Sequence, residues 1–125
     1  MIFFLIIFNG VFLLANNAFF SAEKNFEFKE NVVDQGTHQQ AYKKVLTLLK
    51  ANNLFVAKDY FLKKESSVYA TDQYGQIKTY WTLKDNGKQI VVLLKTTVEG
   101  PFEKKEAELK ANELGLKLIS DFEKQ

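Results

Sequence analysis

His38 is the one histidine in the chain of 125 residues, and the chain contains no cysteine. A histidine that acts as a catalytic base needs an orienting partner and a nucleophile nearby. Its neighbours Thr37 and Gln39 supply no such pair. The lack of cysteine excludes thiolate zinc sites and cysteine nucleophiles. We therefore expect no catalytic residue and no metal site, and we interpret His38 as a solvated residue in the first turn of a helix.

The acidic residues of the stretch EKKEAELKANE, residues 103–113, are a second place to look for chemistry. They are interspersed with lysines at spacings of three and four residues, which is typical of a solvent-exposed helix face with salt bridges. The sequence shows no glycine-rich phosphate loop and no serine-centred nucleophile elbow. These patterns favour a protein that is not an enzyme and needs no cofactor. A hydrolase with an unrecognised site is a less favoured alternative.

A possible partner surface lies in the segment IKTYWTLK, residues 77–84. Its alternation places Trp81 among apolar neighbours on one face of a strand, and aromatic and basic side chains on the other. With one tyrosine of the preceding strand, the polar set consists of Lys78, Tyr80, Thr82, Lys84 and Tyr69. Such a platform stacks flat groups and attracts anions. The favoured interpretation is that the C-terminal helix covers this face and makes Tyr80 part of the core, and an exposed partner surface is the alternative.

The C-terminal segment predicts a helix with two apolar stripes, begun by Pro101 at the first helical position. One stripe should pack on the sheet and contains Ala107, Ala111, Leu114, Leu118 and Phe122. The other is a possible interface with a second copy or a partner and contains Phe102, Leu109 and Leu116. A helix with two apolar stripes is expected to contact two neighbours.

The elements that would position these residues follow from hydrophobic periodicity. Phe26 and Phe28 alternate with charged residues and predict a short first strand. A helix follows from Thr37, where Thr37 and Gln40 form a capping box, and it ends at Asn52 or Asn53.

Residues 54–100 predict strands, including a hairpin at the sequence DNG, residues 85–87. Its return arm, residues 90–94, is apolar on both faces, so we expect it inside the sheet and covered on both sides. The predicted fold is a single small α+β domain with the order β-α-β-β-β-β-α. Its antiparallel sheet of four to five strands packs against one or two helices.

This order of elements is similar to that of cystatin-like domains and of small exported domains with a TATA-binding-protein-like fold. Cystatins carry a hairpin loop with the pattern Gln-x-Val-x-Gly. The nearest stretch in this chain, TTVEG at residues 96–100, lacks the glutamine. The likeness therefore concerns topology, and it transfers no residue roles.

The N-terminal segment is apolar from Ile2 to Ala15 apart from an asparagine and a glycine, and no charged side chain precedes Glu23. A core of about 14 residues suits a signal peptide, whereas a membrane-spanning helix needs about 20. We predict a signal peptide over residues 1–22, cleaved after Ala22, with Ala18 as the alternative cut. The remaining residues 23–125 form the domain, and the protein is exported to the periplasm or secreted. A retained N-terminal membrane anchor is the alternative.

Charge and composition narrow the possible partners. The chain has seventeen basic and fifteen acidic residues, and its net charge is +2. A nucleic-acid binder has a more concentrated positive surface. We expect an exported binding module, such as an inhibitor, an immunity-type protein or an envelope accessory protein. Its partner would be another protein or a second copy, and it would meet a membrane only if the N-terminal segment is retained. The alternative is a carrier of a small apolar molecule, lipid or glycan in a pocket between helix and sheet.

Overall fold

The computed structural model describes residues 19–125, so most of the predicted signal peptide, including Ala18, lies outside the described residues. Alternating apolar and polar residues build five strands and two amphipathic helices. These are β1 (Phe20–Asn31), α1 (Thr37–Ala51), β2 (Phe55–Phe61), β3 (Glu65–Thr71), β4 (Ile77–Asp85), β5 (Gln89–Gly100) and α2 (Lys104–Glu123). The predicted order of elements and the predicted α+β class are confirmed.

The five strands form one antiparallel sheet in the order β1-β5-β4-β3-β2. The four later strands are consecutive neighbours, whereas β1 lies beside β5 at the far side. Residues with positive φ support two of the chain reversals: Gly87 has φ 93° in the predicted DNG turn, and Asn53 has φ 59° after α1. Both residue types tolerate this left-handed region better than others do.

Both helices pack on the same face of the sheet, which we call the covered face. Helix α2 contacts β1 and β5, and α1 contacts β2, β3 and β4. Trp81 is fully buried there, as the alternation predicted, and its ring lies near that of Phe122 on α2. In the predicted α2 stripe, Leu114 is half-buried and the other four residues are buried.

Gly115 permits a close approach between α2 and the sheet. A Cβ atom at this position would lie 2.0 Å from the Phe26 ring on β1, which is far inside van der Waals contact. Glycine costs about 1 kcal/mol in a helix relative to alanine. Here its missing side chain leaves room for an aromatic ring, so the packing of α2 on β1 explains a residue that helix propensity disfavours.

The prediction that β5 is covered on both sides was wrong. Ile90, Val92 and Leu94 are buried beneath the helices, but Val91 and Leu93 lie on the opposite face and are half-buried. Within residues 19–125, both helices pack on the other face of the sheet, so only neighbouring side chains of the sheet partly cover these two residues. The position of β5 inside the sheet, between β1 and β4, is confirmed.

The predicted starts of both helices also require correction. Helix α1 has Gly36 as its N-cap and no side-chain cap. The Thr37 hydroxyl instead accepts backbone N–H bonds from Val33 and Asp34 at 3.0 and 3.2 Å, which stabilises the incoming turn. No capping box with Gln40 forms.

Helix α2 begins at Lys104 with Glu103 as its N-cap, so Pro101 is not its first residue. Strand β5 continues to Gly100. The chain therefore uses residues 101–103 to turn from the sheet into the helix.

Candidate functional site

The face of the sheet opposite the helices, the open face, carries one continuous row of basic and aromatic residues. Lys58 on β2 opposes Tyr69 on β3, Tyr69 opposes Tyr80 on β4, and Tyr80 opposes Lys95 on β5. Directly opposed residues of an antiparallel pair point to the same face. These four residues form what we call the aromatic row, in which two tyrosines lie between two lysines.

The geometry of the row is that of a stacked platform. The Tyr69 and Tyr80 rings have centroids 4.6 Å apart and planes inclined by 16°. The Lys95 ammonium lies 4.6 Å from the centre of the Tyr80 ring, within the range of a cation–π interaction. Tyr80 is 37% exposed. The row therefore offers an accessible aromatic surface with a positive charge held at its edge.

Ion pairs limit the positive charge of this face. Lys95 lies 3.9 Å from Glu23, and Lys78 lies 3.6 Å from Glu99. Desolvation raises the pKa of Tyr69, and the hydrogen bond with the Tyr80 hydroxyl raises it further. The Tyr69 phenol is therefore neutral at ordinary pH. The face can stack a flat group and hold single anionic groups, and its net field is weak.

The structure brings together all the predicted surface residues on β3 and β4: Lys78, Tyr80, Thr82, Lys84 and Tyr69. No helix among residues 19–125 covers them, so the favoured interpretation that Tyr80 lies in the core was wrong. Sequence reasoning missed Lys58 and Lys95, because each reaches the row through the register of a separate strand. The loop DNG was the signal that could have placed Lys95 opposite Tyr80. Whether these residues bind a partner stays a prediction.

The proposed interface on α2 is divided by the structure. Leu109 and Leu116 point to solvent, with 57% and 54% of their surfaces exposed. Phe102 precedes α2 and packs against a small cluster that includes Ala22 and Val98, with the Lys110 ammonium 5.2 Å from its ring centre. The exposed stripe on α2 thus consists of two leucines, and Phe102 is not part of it.

A groove of about 430 Å³ lies between α2 and the end of the sheet. Its apolar lining comes from Ile77, Val98, Phe102 and Leu114. Its polar lining comes from Gln76, Lys110, Glu113 and Lys117. Ligand sites have volumes of roughly 300–1,000 Å³ and combine apolar walls with a few polar groups. The groove is therefore compatible with a small molecule that has an apolar body and a charged end.

His38 is buried, and the prediction of a solvated histidine was wrong. Its Nε2 lies 2.9 Å from the Ser66 hydroxyl, and its Nδ1 lies 3.3 Å from the Lys63 carbonyl. The carbonyl can only accept, so Nδ1 donates to it, and in the neutral ring Nε2 then accepts a hydrogen bond from the Ser66 hydroxyl. This contact joins residues from α1 and β3 that are distant in sequence, and the local sequence carries no signal for it.

The histidine–serine pair differs from a catalytic pair in two ways. Ser66 is fully buried, so its hydroxyl cannot reach a substrate in this conformation. The second histidine nitrogen faces a backbone carbonyl rather than the carboxylate of a catalytic triad. The pair therefore satisfies two buried polar side chains and ties α1 to β3.

No family model, curated protein or solved structure matches this chain. Within residues 19–125, histidine and carboxylate side chains form no group of three that could hold a metal ion. Over the same residues, neither helix is long and apolar enough to cross a membrane. The candidate site is therefore interpreted from its own geometry.

Proposed function

We propose that this protein is a non-catalytic module that binds another protein through the open face of its sheet. The observation that carries this proposal is the aromatic row, in which the exposed Tyr80 stacks on the half-buried Tyr69 between Lys58 and Lys95. Aromatic residues contribute strongly to protein interfaces because they bury a large area at a small cost in conformational entropy. An inhibitor, an immunity-type protein or an envelope accessory protein would use such a surface.

The chemistry of the row specifies the partner. A flat or apolar side chain would cover Tyr80, and a carboxylate would approach the lysines at the ends of the row. Two of the lysines on this face already pair with glutamates, which leaves too little net charge for the many phosphate contacts of a nucleic-acid complex. An acidic surface of a folded protein fits this arrangement better than nucleic acid does.

Export to the periplasm or the outside of the cell belongs to the same proposal. Strand β1 begins at Phe20, and Ala22 is buried and opposes Val98. Cleavage after Ala22 would remove the first three residues of this strand, whereas cleavage after Ala18 would leave it whole. The intact mass of protein from the native host distinguishes the two cuts from a retained N-terminal membrane anchor.

The binding experiment compares wild type with variants on different surfaces. Tyr80→Ala combined with Lys95→Glu should abolish retention of the partner from an envelope extract, because both changes alter the aromatic row. Leu109→Lys is the matched control on the far side of the molecule and should retain the same partner. Equal retention by all three proteins, or loss only in the α2 variant, would refute a role for the open face.

The groove beside α2 supports a second candidate function, carriage of a small apolar molecule with an acidic end. Lys110 at its rim would hold the acid, and Leu114 and Ile77 would contact the apolar body. A fluorescent fatty-acid analogue should then bind the wild type and bind Lys110→Glu several-fold more weakly. No saturable binding to wild type would exclude this function for that class of ligand.

A further inference from the structure

The two outer strands of the sheet differ in how they are protected from pairing with another chain. The edge strand β1 carries five charged residues, namely Glu23, Lys24, Glu27, Lys29 and Glu30. The edge strand β2 is exposed along all seven of its residues. Its large apolar side chains and the residue that follows it are 40–62% exposed: Phe55, Val56, Tyr60, Phe61 and Leu62. Charges on an edge discourage pairing, and a long apolar edge promotes it.

The backbone of β2 presents hydrogen-bonding groups in a defined order. The Leu62 N–H donates to the Glu65 carbonyl at 2.8 Å and closes the hairpin between β2 and β3. Because hydrogen-bonded residues alternate along an antiparallel pair, Tyr60 and Lys58 direct their backbone groups toward β3. Asp59 and Phe61 therefore direct theirs away from the sheet. Among residues 19–125, no backbone group pairs with these outward groups, and an added strand would pair them.

We propose that β2 pairs antiparallel with β2 of a second copy, about a two-fold axis at Tyr60. An isologous pair of this kind makes the same contacts twice. It joins the two sheets into one of ten strands, with all four helices on one side. The proposed pairing shares Lys58 with the aromatic row but otherwise uses the edge of β2, and sedimentation tests it independently of partner binding.

The two-fold symmetry restricts the possible registers. With the axis perpendicular to the sheet, residues of the open face meet only residues of the open face. A register centred on Asp59 would oppose two carboxylates, which is unfavourable. A register centred on Phe61 would place Asp59 opposite the turn residue Lys63, which lies outside the strand.

The register centred on Tyr60 satisfies the outward groups without opposing like charges. Asp59 of each copy then lies opposite Phe61 of the other copy. The outward backbone N–H and C=O groups of both residues are thus hydrogen-bonded on each chain. On the open face, Lys58 opposes Leu62 and the two Tyr60 rings meet at the axis. The strand itself carries one positive and one negative side chain, Lys58 and Asp59, so its own net charge is zero and does not oppose pairing with its copy. These features select a second copy as the occupant.

Disulfide trapping tests the register, because the chain has no cysteine of its own. The two Tyr60 residues would form a non-hydrogen-bonded pair with Cα atoms about 4.5 Å apart, within the disulfide range of about 4.4–6.8 Å. Tyr60→Cys should therefore give a covalent dimer with oxidised glutathione. Tyr74→Cys, on an exposed turn, and Lys29→Cys, on the opposite edge, should remain monomers under the same conditions.

A charge exchange tests the same contact without cross-linking. Leu62→Lys would place a lysine directly opposite Lys58 of the second copy. The repulsion between these like charges should dissociate the dimer, which sedimentation would show as a monomer. Adding Lys58→Glu should restore the dimer, since opposite charges then meet. Thermal melting in dilute solution checks that all variants fold.

Several results would overturn the proposal. One is a wild type that sediments as a monomer at every concentration tested. Another is equal cross-linking of the three cysteine variants. A third is identical sedimentation of Leu62→Lys and the double variant. A dimer that is insensitive to Leu62→Lys but dissociated by Leu109→Lys would assign self-association to α2 instead.

Discussion

Two adjacent residues of β4 show how differently the two faces of this sheet are used. Trp81 points to the covered face and is fully buried, while Tyr80 points to the open face and is 37% exposed. The first lies near Phe122 of α2, and the second stacks on Tyr69 beside a lysine. Antiparallel sheets can leave one face to solvent. We therefore expect the covered face to contribute most of the stability, and the open face is the surface on which we propose recognition.

The largest effect on stability is expected at Trp81, because this side chain is the largest one fully buried on the covered face. Trp81→Ala should lower the free energy of unfolding by about 3–5 kcal/mol, since it leaves a cavity in the centre of the core. The indole Nε1 is buried and has no hydrogen-bond partner among the described residues. Trp81→Phe should therefore cost much less, because it also removes an unsatisfied donor. Urea denaturation followed by circular dichroism measures both. Similar losses for the two variants would contradict this account.

A smaller loss is expected at Gly115, where α2 approaches the covered face. Gly115→Ala would place a methyl group against the Phe26 ring, and overpacking of this kind costs about 1–3 kcal/mol. The better helix propensity of alanine, about 1 kcal/mol, offsets part of this cost.

Combining Gly115→Ala with Phe26→Ala isolates the contact between the two residues. The double variant should be more stable than the sum of the two single losses predicts, because the clash is absent. Additive losses in thermal melts would show that Gly115 is tolerated for another reason.

At Tyr80 the expected stability effect is smaller still. Tyr80→Thr keeps a residue with high β-propensity and removes the stack on Tyr69, a cross-strand pair worth about 0.2–1 kcal/mol. The variant should thus melt close to wild type while it loses partner binding. A loss of stability as large as that of Trp81→Ala would mean that the two faces do not differ as proposed.

The last effect is confined to alkaline pH and concerns Tyr42 on α1, whose hydroxyl donates a hydrogen bond to Asp59 on the covered side of β2. Desolvation first, and then the hydrogen bond and the charge of Asp59, raise the pKa of Tyr42 to about 12. The protonated Tyr42 phenol stabilises the folded state fully when the pH is below the ordinary tyrosine pKa of about 10. This stabilisation is lost as the pH rises toward 12, because the phenol then ionises in the folded state too. Asp59→Asn should lower this pKa toward its ordinary value.

Alkaline titration of tyrosinate absorbance tests the Tyr42 prediction. Subtracting the Tyr42→Phe curve from that of wild type should leave one phenol that ionises near pH 12. A difference curve centred near the ordinary value would rule out the shift.

Local patterns predicted those parts of the fold that depend on neighbours in sequence. The alternation around Trp81 correctly separated the two faces of β4, and the DNG turn located the hairpin between β4 and β5. The stripe from Ala107 to Phe122 correctly identified the buried side of α2. Each of these depends on a period of two or 3.6 residues, which a single element shows by itself.

Features that join distant elements could not be predicted in this way. The apolar faces of β5 suggested a cover on each side, but periodicity does not say which face a helix takes. His38 appeared solvated because Ser66 and the Lys63 carbonyl reach it only in the folded chain. Lys58 joins the aromatic row through a strand pairing that contains a bulge next to Val56, and no local pattern determines that register.

The pairing of β1 with β5 has a consequence for the order of folding. Strands β2 to β5 pair with their neighbours in sequence, so that part of the sheet can form from local contacts. Strand β1 is the first element of residues 19–125, but its residue Phe26 pairs with Leu94, which is synthesised much later. During synthesis β1 therefore stays unpaired until nearly the whole chain has been made. We expect β1 to remain without a strand partner during this interval, which would leave it unfolded long enough for the export proposed above.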